Sequence, residues 1–101
     1  MLPVVAFRLN PDRVYAGRDS YCLSVPNFAG QTIDVKYHYN ERPASVAYSF
    51  ASLDARGTAC MNVEASVPWG NVVVVAVRPS GSRRWYKTSA EINVLPPPLT
   101  W

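Results

Sequence analysis

The chain has 101 residues, of which 49% are hydrophobic, and its formal net charge is +3. This length fits one domain of common size, and the hydrophobic content excludes a chain that is disordered by composition. The mild positive charge is unlike the dense basic surface of a typical nucleic-acid binder. We expect one domain over residues 1–95. We also expect a proline-rich tail or linker over residues 96–101, because Pro96-Pro97-Pro98 favours an extended polyproline conformation.

The chain begins with an apolar run, MLPVVAF, over residues 1–7. Arg8 ends this run and no basic residue precedes it, so it does not resemble a signal peptide. No apolar stretch approaches the roughly 20 residues that a spanning helix needs. We therefore expect no membrane insertion.

Alternation of apolar and polar residues, broken by turn residues about every 8–12 residues, predicts a sandwich or barrel built from short strands. No sustained helical stripe is present. The predicted strand regions, in chain order, are Val4–Leu9, Arg13–Tyr15, Ser20–Val25, Thr32–Tyr39, Ser45–Phe50, Thr58–Val63, Val72–Val77, and a last strand made of Arg84–Tyr86 with Ala90–Val94. Turns are predicted between them, at Asn10–Asp12, Pro26–Gly30, Asn40–Pro43, Asp54–Gly57 and Pro79–Ser82. About seven strands in a chain of this length match an immunoglobulin-like antiparallel β-sandwich.

Successive side chains of a strand face opposite sides of the sheet, so the alternation also assigns faces. The clearest strand places four residues inward, namely Ile33, Val35, Tyr37 and Tyr39, and three outward, namely Asp34, Lys36 and His38. The valine-rich strand is expected to be central. The same rule places Val72, Val74 and Ala76 inward, and Val73, Val75 and Val77 outward.

Five segments together resemble the immunoglobulin-like repeat modules of large secreted or surface proteins of bacteria. They are NPDRVYAGRDSYCLSV, FAGQTIDVKYHYN with the following ERP, SLDARGTACMNV, VPWGNVVVVAVR and SAEINV. The resemblance covers about residues 8–95. It implies an extracellular spacer, adhesive or binding module that stands among other domains of a longer chain. The chain departs from antibody domains, since the strand Val72–Val77 carries no cysteine and no tyrosine corner precedes it.

The two cysteines, Cys22 and Cys60, fall on the second and fifth strands of the assumed topology, which pair in one sheet. Both occupy outward positions by alternation. Opposed residues on paired strands approach closely enough for a disulfide. We therefore predict a cross-strand bridge on the outer face of that sheet, and with it an oxidising compartment, secreted or at the cell surface. Two free thiols are the alternative.

The sequence offers no recognisable catalytic group, and we predict that the protein is not an enzyme. The only histidine, His38, lies about 13 Å along the strand from Asp34, which is too far for a hydrogen-bonded pair. No nucleophile elbow, phosphate loop or metal-ligand cluster is present. A zinc site made from the two cysteines and His38 is disfavoured, because His38 is expected on the other sheet. We expect no metal and no cofactor.

Three aromatic residues are candidates for ligand binding, namely Trp69, Trp85 and Tyr86. Trp69 lies in a loop between Pro68 and Gly70, and one of the adjacent residues Trp85 and Tyr86 must face away from the core. Exposed aromatic rings stack on sugars in many carbohydrate-binding modules, because the ring is apolar on its face and polar at its rim. The alternative is that Trp69 and Trp85 close the open ends of the sandwich.

Two further surfaces are candidates for binding a ligand or a partner. The segment 78–87 places four cations beside two aromatic residues, a pattern that can bind an acidic polysaccharide or single-stranded nucleic acid. Nucleic acid is the less favoured of the two, because the remaining cations are dispersed. The alternative is a solvated hairpin in which an arginine packs on a tryptophan. The outward valines Val73 and Val75, beside Lys36 and His38, form a candidate interaction face for another domain or a second copy. In the alternative, Lys36 and Trp85 lie across the sheet and cover these valines.

These observations favour a non-catalytic structural, adhesive or binding module. A carbohydrate-binding module is the second hypothesis. A polysaccharide, a protein surface, a neighbouring domain or a second copy are the partners considered, and nucleic acid is not expected.

Overall fold

The computed structural model describes residues 4–39 and 46–97, which form eight β-strands and one short 3-10 helix. The strands are β1 (Arg8–Asn10), β2 (Arg13–Tyr15), β3 (Ser20–Ser24), β4 (Thr32–Tyr39), β5 (Val46–Ser52), β6 (Thr58–Asn62), β7 (Gly70–Pro79) and β8 (Tyr86–Leu95). The helix is Pro26–Phe28. Within the described ranges, no helix has the length and apolar character needed to cross a membrane.

The strands form two sheets that pack as a sandwich, which confirms the all-β prediction. One sheet has the order β1-β3-β6, and the other has the order β2-β8-β7-β4-β5. All pairings are antiparallel except that of β2 with β8. The valine-rich strand β7 lies at the centre of the larger sheet, as predicted, and β5 lies at its edge.

The N-terminal segment differs from the prediction of one strand over Val4–Leu9. Only Arg8–Asn10 forms a strand, whereas Val4 makes an isolated bridge to Lys87 in the larger sheet. The backbone N–H of Val5 donates to the carbonyl oxygen of Lys87. The chain therefore crosses from one sheet to the other within this segment, and neither sheet can use all of it as a continuous strand.

Several predicted features lie outside the described residues. These are the turn Asn40–Pro43, the first residue of the strand predicted to begin at Ser45, residues 1–3 of the apolar run and residues 98–101 of the predicted tail. Of the tail, the structure describes Pro96 and Pro97, which follow β8.

The core lies between the inner faces of the two sheets, where the alternating apolar residues meet. Its residues form two clusters, of which the larger includes Leu23, Val25, Phe28, Ile33, Val35 and Val77. The smaller includes Val14, Val63, Val72, Ile92 and Val94. The three inward tyrosines Tyr21, Tyr37 and Tyr39 are half-buried and pack against the smaller cluster. The predicted inward face of β4 is therefore correct.

The face assignment of β7 was wrong beyond Val74. The pairing of β7 with β8 shifts between Val74 and Ala76, and the pairing of β4 with β7 shifts at the same level. A bulge inserts an extra residue and so reverses the alternation that follows it. Val77, predicted outward, is fully buried in the larger core cluster, and Ala76, predicted inward, pairs with the outward Lys36.

Candidate binding surfaces

A disulfide joins Cys22 and Cys60, as predicted. The two cysteines are directly opposed in the β3–β6 ladder, and their Cα atoms are 4.0 Å apart. Their neighbours Leu23 and Ala59 belong to the inner face, so the bridge lies on the outer face of the smaller sheet. The two strands are the third and sixth in chain order, because the short β2 precedes them.

Trp85 lies immediately before β8 and is surrounded by cations on the outer face of the larger sheet. The Arg78 guanidinium lies 4.3 Å from the centre of its ring, and the Lys36 ammonium lies 5.9 Å from it. The Tyr48 ring, from β5, is 6.2 Å away at a tilt of 45°. The hairpin alternative, with an arginine packed on a tryptophan, therefore describes this part of the basic segment.

An ion pair holds Arg78 in this position. Its Nε donates to a carboxylate oxygen of Asp34 at 2.9 Å, and the hydroxyl of Ser80 donates to the other oxygen at 2.8 Å. The Arg78 and Ser80 hydrogen bonds hold the pKa of Asp34 below its ordinary value, since both favour the charged carboxylate. Asp34 therefore fixes the guanidinium over the indole ring rather than leaving it free in solvent.

Two aromatic residues that the sequence analysis did not single out complete this surface. Tyr48 and Phe50 on β5 are 63% and 74% exposed. Together with Trp85 they form the aromatic shelf, which borders a groove of about 240 Å³ whose lining includes Asp34 and Arg78. The signal was present in the sequence, because alternation along an edge strand places Tyr48 and Phe50 on the same outward face as Lys36 and Asp34, their partners on β4.

The three aromatic candidates predicted from the sequence do not form one site. Tyr86 faces inward, with its ring 5.1 Å from that of Phe28, and belongs to the core rather than to a ligand surface. Trp69 is 56% exposed in the loop before β7. It lies beside the Gly70–Val94 pair, whereas Trp85 lies beside the Val77–Tyr86 pair at the other end of the same hairpin. Seven residues of strand, about 23 Å, separate these ends.

The predicted interaction face lies on the outer side of the larger sheet. His38 is paired with Val73, and Lys36 with Ala76 next to Val75. All four predicted residues are half-buried. The Lys36 ammonium lies 5.9 Å from the centre of the Trp85 ring on this same face.

A second opening lies between the sheets. It has a volume of about 350 Å³, and its walls are mostly aliphatic. The half-buried phenols of Tyr21, Tyr37 and Tyr39 line it, and Tyr39 donates a long hydrogen bond of 3.5 Å to Tyr37. Burial, with the contribution of Tyr39, raises the pKa of Tyr37 to about 12, and burial also raises the pKa of Tyr21. These two phenols stay neutral near pH 7 and face a largely apolar space.

Over residues 4–39 and 46–97, no three acidic, cysteine or histidine side chains are close enough to hold a metal ion. Comparisons with protein-family models, curated proteins and solved structures give no match for this chain.

Proposed function

We propose that the chain is a non-catalytic, immunoglobulin-like structural or adhesive module of a secreted or cell-surface protein, of the kind that its sequence resembles in bacteria. The order of the strands supports this. The strands β1, β3 and β6 share one sheet, and β4, β7 and β8 share the other. Immunoglobulin domains divide their strands A, B and E from C, F and G in the same way.

The Cys22–Cys60 disulfide is the observation that carries the proposal. Disulfides form and persist in oxidising compartments and are rare in the cytosol. The bridge closes a segment with a sequence separation of 38 residues. Closing a loop of this length stabilises a domain by about 4 kcal/mol in the chain-entropy model, which suits a module exposed to proteases outside the cell.

Thiol titration of the unreduced, denatured protein tests this proposal. We expect no titratable thiol in the wild type and one in the variant Cys22→Ser, which calibrates the assay. Limited proteolysis with and without reductant gives the functional readout, and the oxidised protein should be cleaved more slowly. Two titratable thiols in protein from an oxidising compartment would contradict the proposal.

Carbohydrate binding is a second candidate, favoured by the exposure of the aromatic shelf. Its two most exposed rings, Tyr48 and Phe50, face solvent beside the groove that Trp85 and Arg78 border. Apolar faces of sugars stack on such rings. The Arg78 guanidinium covers part of the Trp85 ring face, and the Lys36 ammonium lies nearby. An acidic sugar therefore fits this surface better than a neutral one, because its carboxylate or sulfate can bind these cations.

Retention on acidic and neutral polysaccharides at moderate salt, read together with tryptophan fluorescence, tests this candidate. We expect retention on an acidic polysaccharide and a loss of about tenfold in affinity for Tyr48→Ala, which removes a stacking ring. Trp69→Ala is the matched control, since Trp69 lies at the other end of the hairpin, and it should bind like the wild type. If no polysaccharide retains the domain, the carbohydrate hypothesis is wrong, and the structural or adhesive role stands without it.

A further inference from the structure

Among the residues that the structure describes, no strand pairs with the outer edge of β5, and the sequence of β5 offers little to prevent pairing with another chain. It ends the sheet order, and its ladder with β4 is regular over seven pairs. Its sequence, VAYSFAS, contains no charge, proline or glycine. Natural proteins usually protect long edges with charged residues or prolines, with bulges or with short strands. The opposite edge of the same sheet is protected in this way, since β2 has three residues and begins with Arg13.

The hydrogen-bond pattern shows which backbone groups of β5 face the open edge. The N–H of Leu53 donates to the carbonyl oxygen of Gln31, the residue opposite it when the β4–β5 register is extended by one pair. Hydrogen-bonded pairs alternate along an antiparallel ladder. Ala51, Ser49 and Ala47 are therefore bonded to β4, and the N–H and C=O groups of Tyr48 and Phe50 point away from the sheet.

The sequence of β5 is complementary to itself. When two copies run antiparallel about Ser49, Tyr48 of each faces Phe50 of the other, and Ala47 faces Ala51. The backbone groups of Tyr48 and Phe50, which point to the open edge, are then the ones that exchange hydrogen bonds. Aromatic rings meet on the outer face, small side chains meet on the inner face, and no charge opposes another. Such an interface uses the same patch on both subunits, as a two-fold dimer requires.

We propose that β5 pairs with β5 of a second copy of this chain, antiparallel and centred on Ser49, to form a dimer with one continuous sheet. The two cross-strand pairs of Tyr48 with Phe50 contribute packing, and the paired backbone groups remove the open edge. This inference stands apart from the proposed function, because it needs neither a secreted location nor a glycan.

Cross-linking tests the register directly. In the proposed dimer the two copies of Ser49 are opposed with their Cα atoms about 4.5 Å apart, as in a non-hydrogen-bonded pair. The variant Ser49→Cys should therefore form a covalent dimer on mild oxidation. Ser52→Cys is the matched control, because the two copies of Ser52 would lie about 20 Å apart and should not cross-link. Equal cross-linking of both variants, or none in Ser49→Cys, would overturn the proposal.

Charge substitutions give an independent test by mass measurement across a dilution series. The double variant Tyr48→Lys with Phe50→Lys places like charges opposite each other and should be monomeric. Tyr48→Lys with Phe50→Glu places opposite charges at the same positions and should remain dimeric. Circular dichroism checks that both variants stay folded. A wild type that is monomeric at every concentration, or that forms open-ended polymers instead of dimers, would overturn the proposal.

Discussion

The hydroxyl of Thr88 donates a hydrogen bond of 2.7 Å to the carbonyl oxygen of Val74. Thr88 is buried and lies at the bulge between β7 and β8, where Val75 opposes both Thr88 and Ser89. The regular ladder of backbone hydrogen bonds between β7 and β8 is interrupted at this bulge. The threonine side chain supplies a donor where the regular pairing is broken.

Replacing Thr88 with valine should destabilise the domain by about 1 kcal/mol, because the shape is kept and a buried hydrogen bond is lost. Equilibrium unfolding in denaturant measures the change. Thr32→Val is the matched control, since the Thr32 hydroxyl bonds to that of Ser52 on the exposed outer face. We expect almost no effect there. Equal stability of Thr88→Val and wild type would show that the hydrogen bond contributes nothing.

Because of the bulge, two valines of β7, Val73 and Val77, face opposite sides of the sheet. Val77→Thr should lower the free energy of unfolding by about 1–3 kcal/mol, because its hydroxyl would be buried in the larger core cluster. Val73→Thr should change it by less than about 0.5 kcal/mol, because Val73 is half-exposed on the outer face. The same unfolding measurement compares them. Equally small effects of the two substitutions would contradict the bulge, because simple alternation along β7 would put both valines on the outer face.

Gly57 should tolerate substitution less well than Gly81, although both have positive φ angles, +83° and +88°. Either change to alanine costs about 1–2 kcal/mol for the left-handed backbone. A Cβ at Gly57 would also lie 2.7 Å from the carbonyl oxygen of Val25, whereas nothing lies within 4 Å at Gly81. We therefore expect Gly57→Ala to lower the thermal midpoint clearly more than Gly81→Ala. Equal losses would mean that the backbone at Val25 moves away from the added Cβ at no cost in free energy.

Lowering the pH should lower the free energy of unfolding, in part because the Asp34 carboxylate becomes protonated. Its pKa is lowered in the folded state, so its stabilising contribution is present above the ordinary carboxyl value of about 3.9 and is lost as the pH falls through the folded value. Asp34→Asn should lower stability near pH 7 and flatten the decline below about pH 4. Unfolding measured across the acid range checks this.

Part of the acid-dependent decline should persist in Asp34→Asn. The pKa of Asp19 is also lowered, mainly by the Arg18 side chain, and that of Asp54 by the backbone N–H groups of Thr58 and Arg56. Arg78→Gln should flatten the decline less than Asp34→Asn, because it removes the ion pair but leaves the hydrogen bond from Ser80 to the Asp34 carboxylate. An acid profile of Asp34→Asn that parallels the wild type would contradict this assignment.

Much of the fold could be predicted from the sequence because short-range rules govern it. The strand Thr32–Tyr39 was predicted with the bounds that the structure has, since four inward apolar residues alternate with three polar ones. The disulfide followed from two outward cysteines on strands that pair. Val77 was misplaced because a bulge depends on the pairing of neighbouring strands, and one strand's pattern contains no sign of it.

The candidate surfaces, too, were only partly predictable from the sequence. That one of Trp85 and Tyr86 must face outward follows from the two-residue repeat, but the sequence could not say which. The pairing of Val77 with Tyr86 decided it and put Tyr86 against Phe28. Tyr48 and Trp85 are 37 positions apart in the chain, and only the sheet order brings them to one groove.

Most of the strands, most of their faces and the cysteine pair were predictable from the sequence, because alternation and turn residues act within a few positions of the chain. The bulge, the open edge at β5 and the aromatic shelf became visible in the folded chain alone. These depend on which strands become neighbours and at what register, and that choice is made by packing between residues far apart in the chain.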